Sequence, residues 1–372
     1  MTILSPVNLK ESILGYLETL NKENIFEYYP TKKGLTQKGE DINLGFSCYA
    51  LKCFHILNNT SLLTEKNKKE WGSYLNNYQI KSARFPNYSY IDENYLSNYE
   101  NIDTTKLLKE SVKRSINLLK PNRFETLEQK LINSIRAETK QTISTLSEIG
   151  QSPKNKYLEF PQDETEIKYF LNTLNWNKPW ASGAQFASLC VFTKTQLQDS
   201  KYQKTQAILA EFSSILANSV TGAYHLSYVP SNQELINGSM KIISGLDWID
   251  IQIHFPEKLI DLCLSIKPET EGCDLVDIIY VLYKCSQQSP HRKKDIDRFF
   301  SEMHSKIFLN FNSDDGSFSY FTKKSQTHYY GVKITEGLNT ADIHGTTLLL
   351  WALSMIYTFK EEDSIKLNII KP

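Results

Sequence analysis

The chain has 372 residues, 40% hydrophobic and 12% aromatic, with 42 basic and 42 acidic side chains and a formal net charge of zero. That length and apolar content allow one large domain or two ordinary ones with a sizeable core. The neutral balance leaves no electrostatic footprint for nucleic acid or an acidic membrane surface.

The N-terminus, MTILSPVNLKESILGYLETL, carries a proline and mixed charges where a secretory leader needs a basic end and an apolar block. The longest apolar run, TTLLLWALSMIYTF (346–359), falls short of the roughly 18 residues that span a membrane. The expectation is a soluble, cytoplasmic protein without a membrane span. Cysteines 48, 53, 190, 263, 273 and 285 form no CxxC pair and lie mostly in apolar segments, the pattern of buried free thiols in a reducing compartment.

Helical periodicity dominates from end to end. LGFSCYALKCFHIL (44–57) is apolar on most faces, as a buried helix is. Residues 104–119 alternate apolar and charged positions at helical spacing, with Thr104 as cap and Pro121 as stop. Residues 123–149 predict one or two helices ended by Gly150, and further helices follow over 164–174, 183–198, 203–217, 256–266, 275–285, 294–310 and 346–359. In SNQELINGSMKII (231–243), Glu234, Asn237 and Lys241 share one helix face. Charge runs such as KNKKE (66–70) read as solvated helix ends, and strand signals are short and few.

A weak repeat runs through this pattern. IFEYYPTKKG (25–34) is echoed by SFSYFTKKSQ (317–326), and each leads through a polar loop to a glycine-headed apolar helix. RFPNYSYID (84–92) and AYHLSYVPSNQE (223–234) repeat the aromatic loop, while SGAQFASLCVF (182–192) and EGCDLVDIIYVLY (271–283) repeat the helix. Such a unit cannot bury its apolar face alone. The expected architecture is all-α, an (α/α)6 toroid of about twelve helices in one domain over residues 1–372.

DDGSFSY (314–320) and GTTLLLWAL (345–353) resemble the repeated motif of terpenoid cyclases and protein prenyltransferase β subunits, which share this toroid. The resemblance implies that inner helices begin at a cavity. There, ADIHGTT (341–347) falls where class II cyclases carry DxDDTA, with Asp342 at the first acid and His344 in place of the middle one. GCDLVDIIY (272–280) resembles the zinc-binding segment of the prenyltransferases; Asp277 matches its aspartate, while Ile279 stands at the cysteine position. Asp342, His344, Asp277 and Asp274 are therefore the candidate catalytic residues. Cys273 lies beside the last two, but the spacing matches no recognised zinc pattern, so neither a metal nor another cofactor is expected.

Other segments offer a binding surface for a small-molecule substrate. NWNKPWASGAQF (175–186) and LDWIDIQIHFPE (246–257) place Trp176, Trp180, Trp248 and His254 near inner-helix starts, where aromatic groups stack on sugars or stabilise cations. Glu234 would line the cavity. SQTHYYGVKITEG (325–337) clusters His328, Tyr329 and Tyr330, a base and acid set suited to proton abstraction beside a carboxylate. Each of these segments also has a purely structural reading, as helix caps, core aromatics or a self-packed loop.

The motif resemblance favours an enzyme acting on an isoprenoid or other apolar molecule through Asp and His. Two alternatives stay open: a carbohydrate-active toroid, lyase or hydrolase, using His and Tyr, and a non-catalytic binding toroid. The fold by itself does not choose among them.

Overall fold

The computed structural model describes residues 6–100, 104–119, 124–226, 229–268, 271–362 and 366–372. Its helices alternate between an outer and an inner layer. The outer α1 (Pro6–Leu20) is followed by the short α2 (Gln37–Asp41) and the inner α3 (Leu44–Ile56). The outer α4 (Glu65–Asn76), short α5 (Ser97–Glu100) and exposed α6 (Thr104–Leu119) precede the inner α7 (Leu127–Glu148). Four outer–inner pairs complete the chain: α8 (Glu164–Thr173) with α9 (Pro179–Gln196), α10 (Asp199–Leu216) with α11 (Asn232–Trp248), α12 (Pro256–Leu264) with α13 (Gly272–Ser286), and α14 (Lys293–Ile307) with α15 (Ile343–Phe359).

Each of α3, α7, α9, α11, α13 and α15 packs on the next, and α15 returns to α3, so six inner helices close a ring. This is the all-α toroid that the helical pattern predicts. Layer position follows from side-chain pattern. In α15 and α3 nearly every residue is buried, so neither has a polar face to give to water. In α14 the buried residues are Ile296, Phe299, Phe300, Met303 and Ile307, a single stripe facing the inner layer.

Outer helices reach inner ones through tight aromatic turns. Three of these close on one antiparallel pairing between residues seven apart: Asn21 with Tyr28, Ala217 with Tyr224, and Phe311 with Phe318. The last belongs to the hairpin β1 (Phe311–Asn312) and β2 (Ser317–Phe318); a second hairpin pairs β3 (His328–Tyr329) with β4 (Val332–Lys333). Tyr28, Tyr224 and Phe318 are all buried at equivalent places. The structural repeat thus equates Tyr28 with Phe318, two residues away from the sequence alignment of the aromatic loops, which sets Tyr28 against Tyr320 with a gap at Pro30.

Several local expectations change. Helices α1 and α4 carry no strong sequence signal, yet α1 buries Leu9, Ile13, Tyr16, Leu17 and Leu20 along one stripe. Thr64 caps α4 by accepting from the Asn67 N–H, and α4 buries Trp71 and Leu75. Helix α9 begins at Pro179, so Gly183 lies in its second turn instead of heading it. Pro121 and the side chain of Thr104 lie outside the described residues.

The ring is sealed by bonds between distant parts of the chain. The Ile343 N–H donates to the Pro30 carbonyl at 3.0 Å, and Thr31 Oγ1 donates to the Ala341 carbonyl at 2.8 Å. At the opposite end, the tail 366–372 crosses from helix to helix. Asn368 bonds to the carbonyls of His55 and Ile56, the Lys371 N–H to Glu148, and Trp248 Nε1 to the Pro372 carbonyl.

Glycine heads two inner helices because something must pass close by. A Cβ on Gly345 would lie 2.2 Å from the Tyr320 backbone nitrogen, and one on Gly45 would lie 2.1 Å from the Tyr329 hydroxyl. Gly345→Ala is expected to cost about 1–3 kcal/mol, since backbone cannot swing aside as a side chain can. A urea midpoint equal to that of the wild-type protein would contradict it.

Candidate functional site

The N-terminal ends of the inner helices gather the candidate chemistry. Asp342 is the N-cap of α15. One carboxylate oxygen accepts from the Gly345 N–H at 2.7 Å, and the other from the N–H groups of Tyr320 and Gln326 at 2.7 and 3.0 Å. Burial pushes its pKa up to about 6, against those backbone bonds. The carboxylate is committed to holding the helix start and two points of the connection between β2 and β3 together, so the acid role expected from the motif position gives way to a capping role. Asp92 does similar work for α3, accepting from the N–H groups of Asn43 and Leu44.

His344, in the first turn of the same helix, is placed differently. Its ring stacks between Tyr49, with centroids 4.6 Å apart, and Tyr320, at 5.1 Å. Nδ1 has no hydrogen-bond partner. Burial, then the charges of Lys241 and Lys52, push its pKa down to about 3, so the ring is neutral at pH 7. Tyr320 donates its hydroxyl to Cys273 Sγ at 2.8 Å. Burial raises the pKa of both tyrosines, and each keeps its proton.

On α13, Asp277 is 2% exposed and one carboxyl oxygen has no partner. Burial pushes its pKa up to about 7; Lys241 opposes that rise while Asp274 and Glu234 add to it. Asp274 accepts from Asn237 Nδ2 at 2.8 Å. Asp274, Asp277, Cys273 and His344 thus belong to one neighbourhood. Among the described residues no group of three or more His, Cys, Asp or Glu side chains is arranged to hold a metal ion.

Three lysines face this region from three inner helices: Lys52 on α3, Lys140 on α7 and Lys241 on α11. Burial lowers the pKa of Lys140 well below the ordinary lysine value, and Lys52 and Lys241 lower it further. Helices α3 and α11 stand on opposite sides of the ring, so head groups that both act on Lys140 and His344 must point inward. Tyr49, Lys140, Lys241, Cys273 and His344 each keep partial solvent access despite their depth, which marks a lumen between the inner helices. Lys52 and Lys140 went unread in the sequence, although Lys52 is the one formal charge in LGFSCYALKCFHIL, a detectable anomaly.

The remaining candidates disperse. Trp176 is buried, donates to the Leu171 carbonyl and packs on Phe212, so it is core. Trp248 ends α11 at the far end of the ring, and His254, just beyond it, bonds to Tyr224. His328 and Tyr329 are adjacent on a strand and point to opposite faces: His328 is exposed, while Tyr329 is buried and donates to Glu138 at 3.1 Å. They therefore form no acid–base pair. Tyr330 packs on Tyr329 and Tyr95. Trp180 and Glu234 do meet, with the Trp180 N–H donating to the Glu234 carboxylate and Lys241 over the indole ring at 5.7 Å.

No family model and no curated protein matches the chain. Among solved structures, a polysaccharide lyase resembles it over 96% of this chain and 98% of that one, with a TM-score of 0.46 and 14% sequence identity. That match is not to a terpenoid cyclase or prenyltransferase, and the placement in that family is corrected, together with the isoprenoid function it implied. The site removes the same reading on its own terms. Asp342 is spent on backbone N–H groups, and His344 lies in a lumen faced by lysines, where an apolar cation-forming substrate finds repulsion. No described helix is long and apolar enough to cross a membrane.

Asp277 sets a pH signature. With a folded pKa of about 7 against the ordinary aspartate value of 3.8, the folded protein binds this proton more tightly than the unfolded chain does. The stability this gives is present in acid and is lost as pH rises through about 7. Asp277→Asn is expected to gain on the wild type from pH 4 to 7, by up to about 4 kcal/mol, and to hold that lead above. Urea unfolding across this range checks it; a difference that does not vary with pH contradicts it.

Proposed function

We propose that the chain is a carbohydrate-active enzyme that cleaves an anionic polysaccharide at the N-terminal mouth of the inner ring, by eliminating across a uronate. The observation that carries this reading is the neutral His344 ring, its Nδ1 unpartnered, held between two protonated tyrosines in a lumen faced by three lysines. Elimination requires those parts. A cation must take up charge on the carboxylate, a base must remove the neighbouring C5 proton, and an acid must protonate the departing O4.

Lys241 and Lys52 supply the positive field, and Lys140, whose proton burial and those two lysines loosen, gains charge as a carboxylate binds. His344 is unprotonated and can accept a proton, and Tyr320 or Tyr49 can give one to the leaving oxygen. The C5–H and C4–O bonds break, a C4–C5 double bond forms, and proton return from His344 to the tyrosine resets the site. The same lysines that hold the resting pKa of His344 low are offset when a carboxylate binds, so the imidazole becomes more basic in the complex than in the free protein.

Hydrolysis is the second reading. Asp277 favours it, as a buried carboxyl with a free oxygen that titrates at about 7, the range of a general acid, with Asp274 one helical turn before it. The products separate the two. A panel of uronate-containing polysaccharides is followed both by ultraviolet absorbance of the new double bond and by reducing ends. Elimination gives both signals and hydrolysis only the second; neither signal on any polymer sinks the proposal. On the elimination reading, His344→Gln and Tyr320→Phe are each expected to lower kcat about 100-fold or more, with circular dichroism unchanged. Full activity in both variants would remove these residues from the chemistry.

A further inference from the structure

We propose that a cleft where α7, α8 and α9 meet is a second carbohydrate subsite, in which Arg136 binds the carboxylate of a sugar acid. It rests on the donors of the cleft itself and not on the elimination reading. The cleft encloses about 460 Å³, within the range of small-ligand pockets of roughly 300–1,000 Å³.

Arg136 forms its wall. Nη1 donates to the Gln185 side-chain oxygen and to Asn133 Oδ1, and the guanidinium lies 5.0 Å from the Phe170 ring centroid. These three contacts fix the plane of the group. Its Nε and Nη2 hydrogens bond to nothing among the described residues, and no described carboxylate lies within ion-pair distance. Burial pulls its pKa down, while the side chain still opens onto the cleft. A buried charge without a partner is costly, and the open Nε–Nη2 edge has the geometry of a bidentate carboxylate bond.

The rest of the lining selects within the oxyanions. Glu125 accepts from Asn133 Nδ2 at 2.8 Å, and Glu128 pairs with Arg114 at 3.4 Å; both line the cleft. Carboxylates beside the anion site repel a ligand charged along its whole length and accept hydrogen bonds from hydroxyls. Phe124, 40% exposed, offers a ring face for a pyranose. One acid group with hydroxyls around a ring is a uronic acid residue. Sulfate or phosphate satisfies Arg136 and leaves the other groups without a partner.

Hydrogen exchange on the full chain, read over segments 124–136 and 175–186, tests this with sodium glucuronate and galacturonate, and with sodium sulfate and glucose as comparisons. A uronate is expected to slow exchange in both segments, and sulfate and glucose at least tenfold less effectively. Arg136→Met should lose that protection and, without ligand, melt at a higher temperature than the wild type, because it removes an uncompensated buried charge. Arg136→Lys, which keeps the charge without the fork, should bind at least tenfold more weakly, and it decides the matter if the methionine variant does not fold. His344→Gln should keep the protection, whatever becomes of its activity. Absence of uronate protection in the wild type, equal protection by sulfate, affinity unchanged in Arg136→Lys, or loss in His344→Gln each overturns the assignment.

Discussion

The carboxylate of Asp342 is the bond on which the candidate site depends. By accepting from Gly345, Tyr320 and Gln326 together, it fixes the first turn of α15 against two points of the connection between β2 and β3. His344 can stack on Tyr320 because Tyr320 is anchored by its own backbone N–H to that cap. Tyr49 completes the sandwich because α3 closes the ring against α15. A side chain that does no chemistry therefore decides where the chemistry can occur, at the cost of burying a carboxylate that only several N–H donors make tolerable.

The fold was legible because the inner helices have almost no polar face. A sequence such as IHGTTLLLWALSMIY has no stable home except between other helices, and repeating it round the chain leaves few architectures. The outer helices were less visible; the first half of α4 is almost all charged, and tertiary packing of Trp71 and Leu75 outweighs its weak pattern. The site was legible only in part. Proximity on the chain joined Asp342 to His344 and His328 to Tyr329, and in both cases secondary structure separates the roles. The cap turns one residue back onto backbone N–H groups while the first turn points the other between two rings, and pleating sends strand neighbours to opposite faces. The contact of Arg136 with Gln185 spans 49 residues and leaves no trace in either segment alone.

Uncompensated charge recurs in this molecule. Lys140 and Arg136 both sit without a carboxylate partner among the described residues, and Lys52 and Lys241 raise the cost of charging Lys140. Natural proteins keep such arrangements where binding requires them, and lose stability for it. That pattern gives the same physical reason for the placement of the lumen and of the cleft: each presents partly desolvated donors, so an incoming anion displaces less water than it would at an open surface.

The C-terminal tail gives this arrangement a mechanical side. The inner helices stand like the staves of a cask, and residues 366–372 lie across α3, α7 and α11 like a hoop at one rim. Staves bound at one rim keep a fixed spacing there, and Lys52, three residues before the His55 carbonyl that the tail takes up, stands on the bound side of the lumen with its amine on Ser144 of the neighbouring stave. Loosening that hoop would thus widen the bore first beside Lys52, at the rim opposite the one where α15 begins.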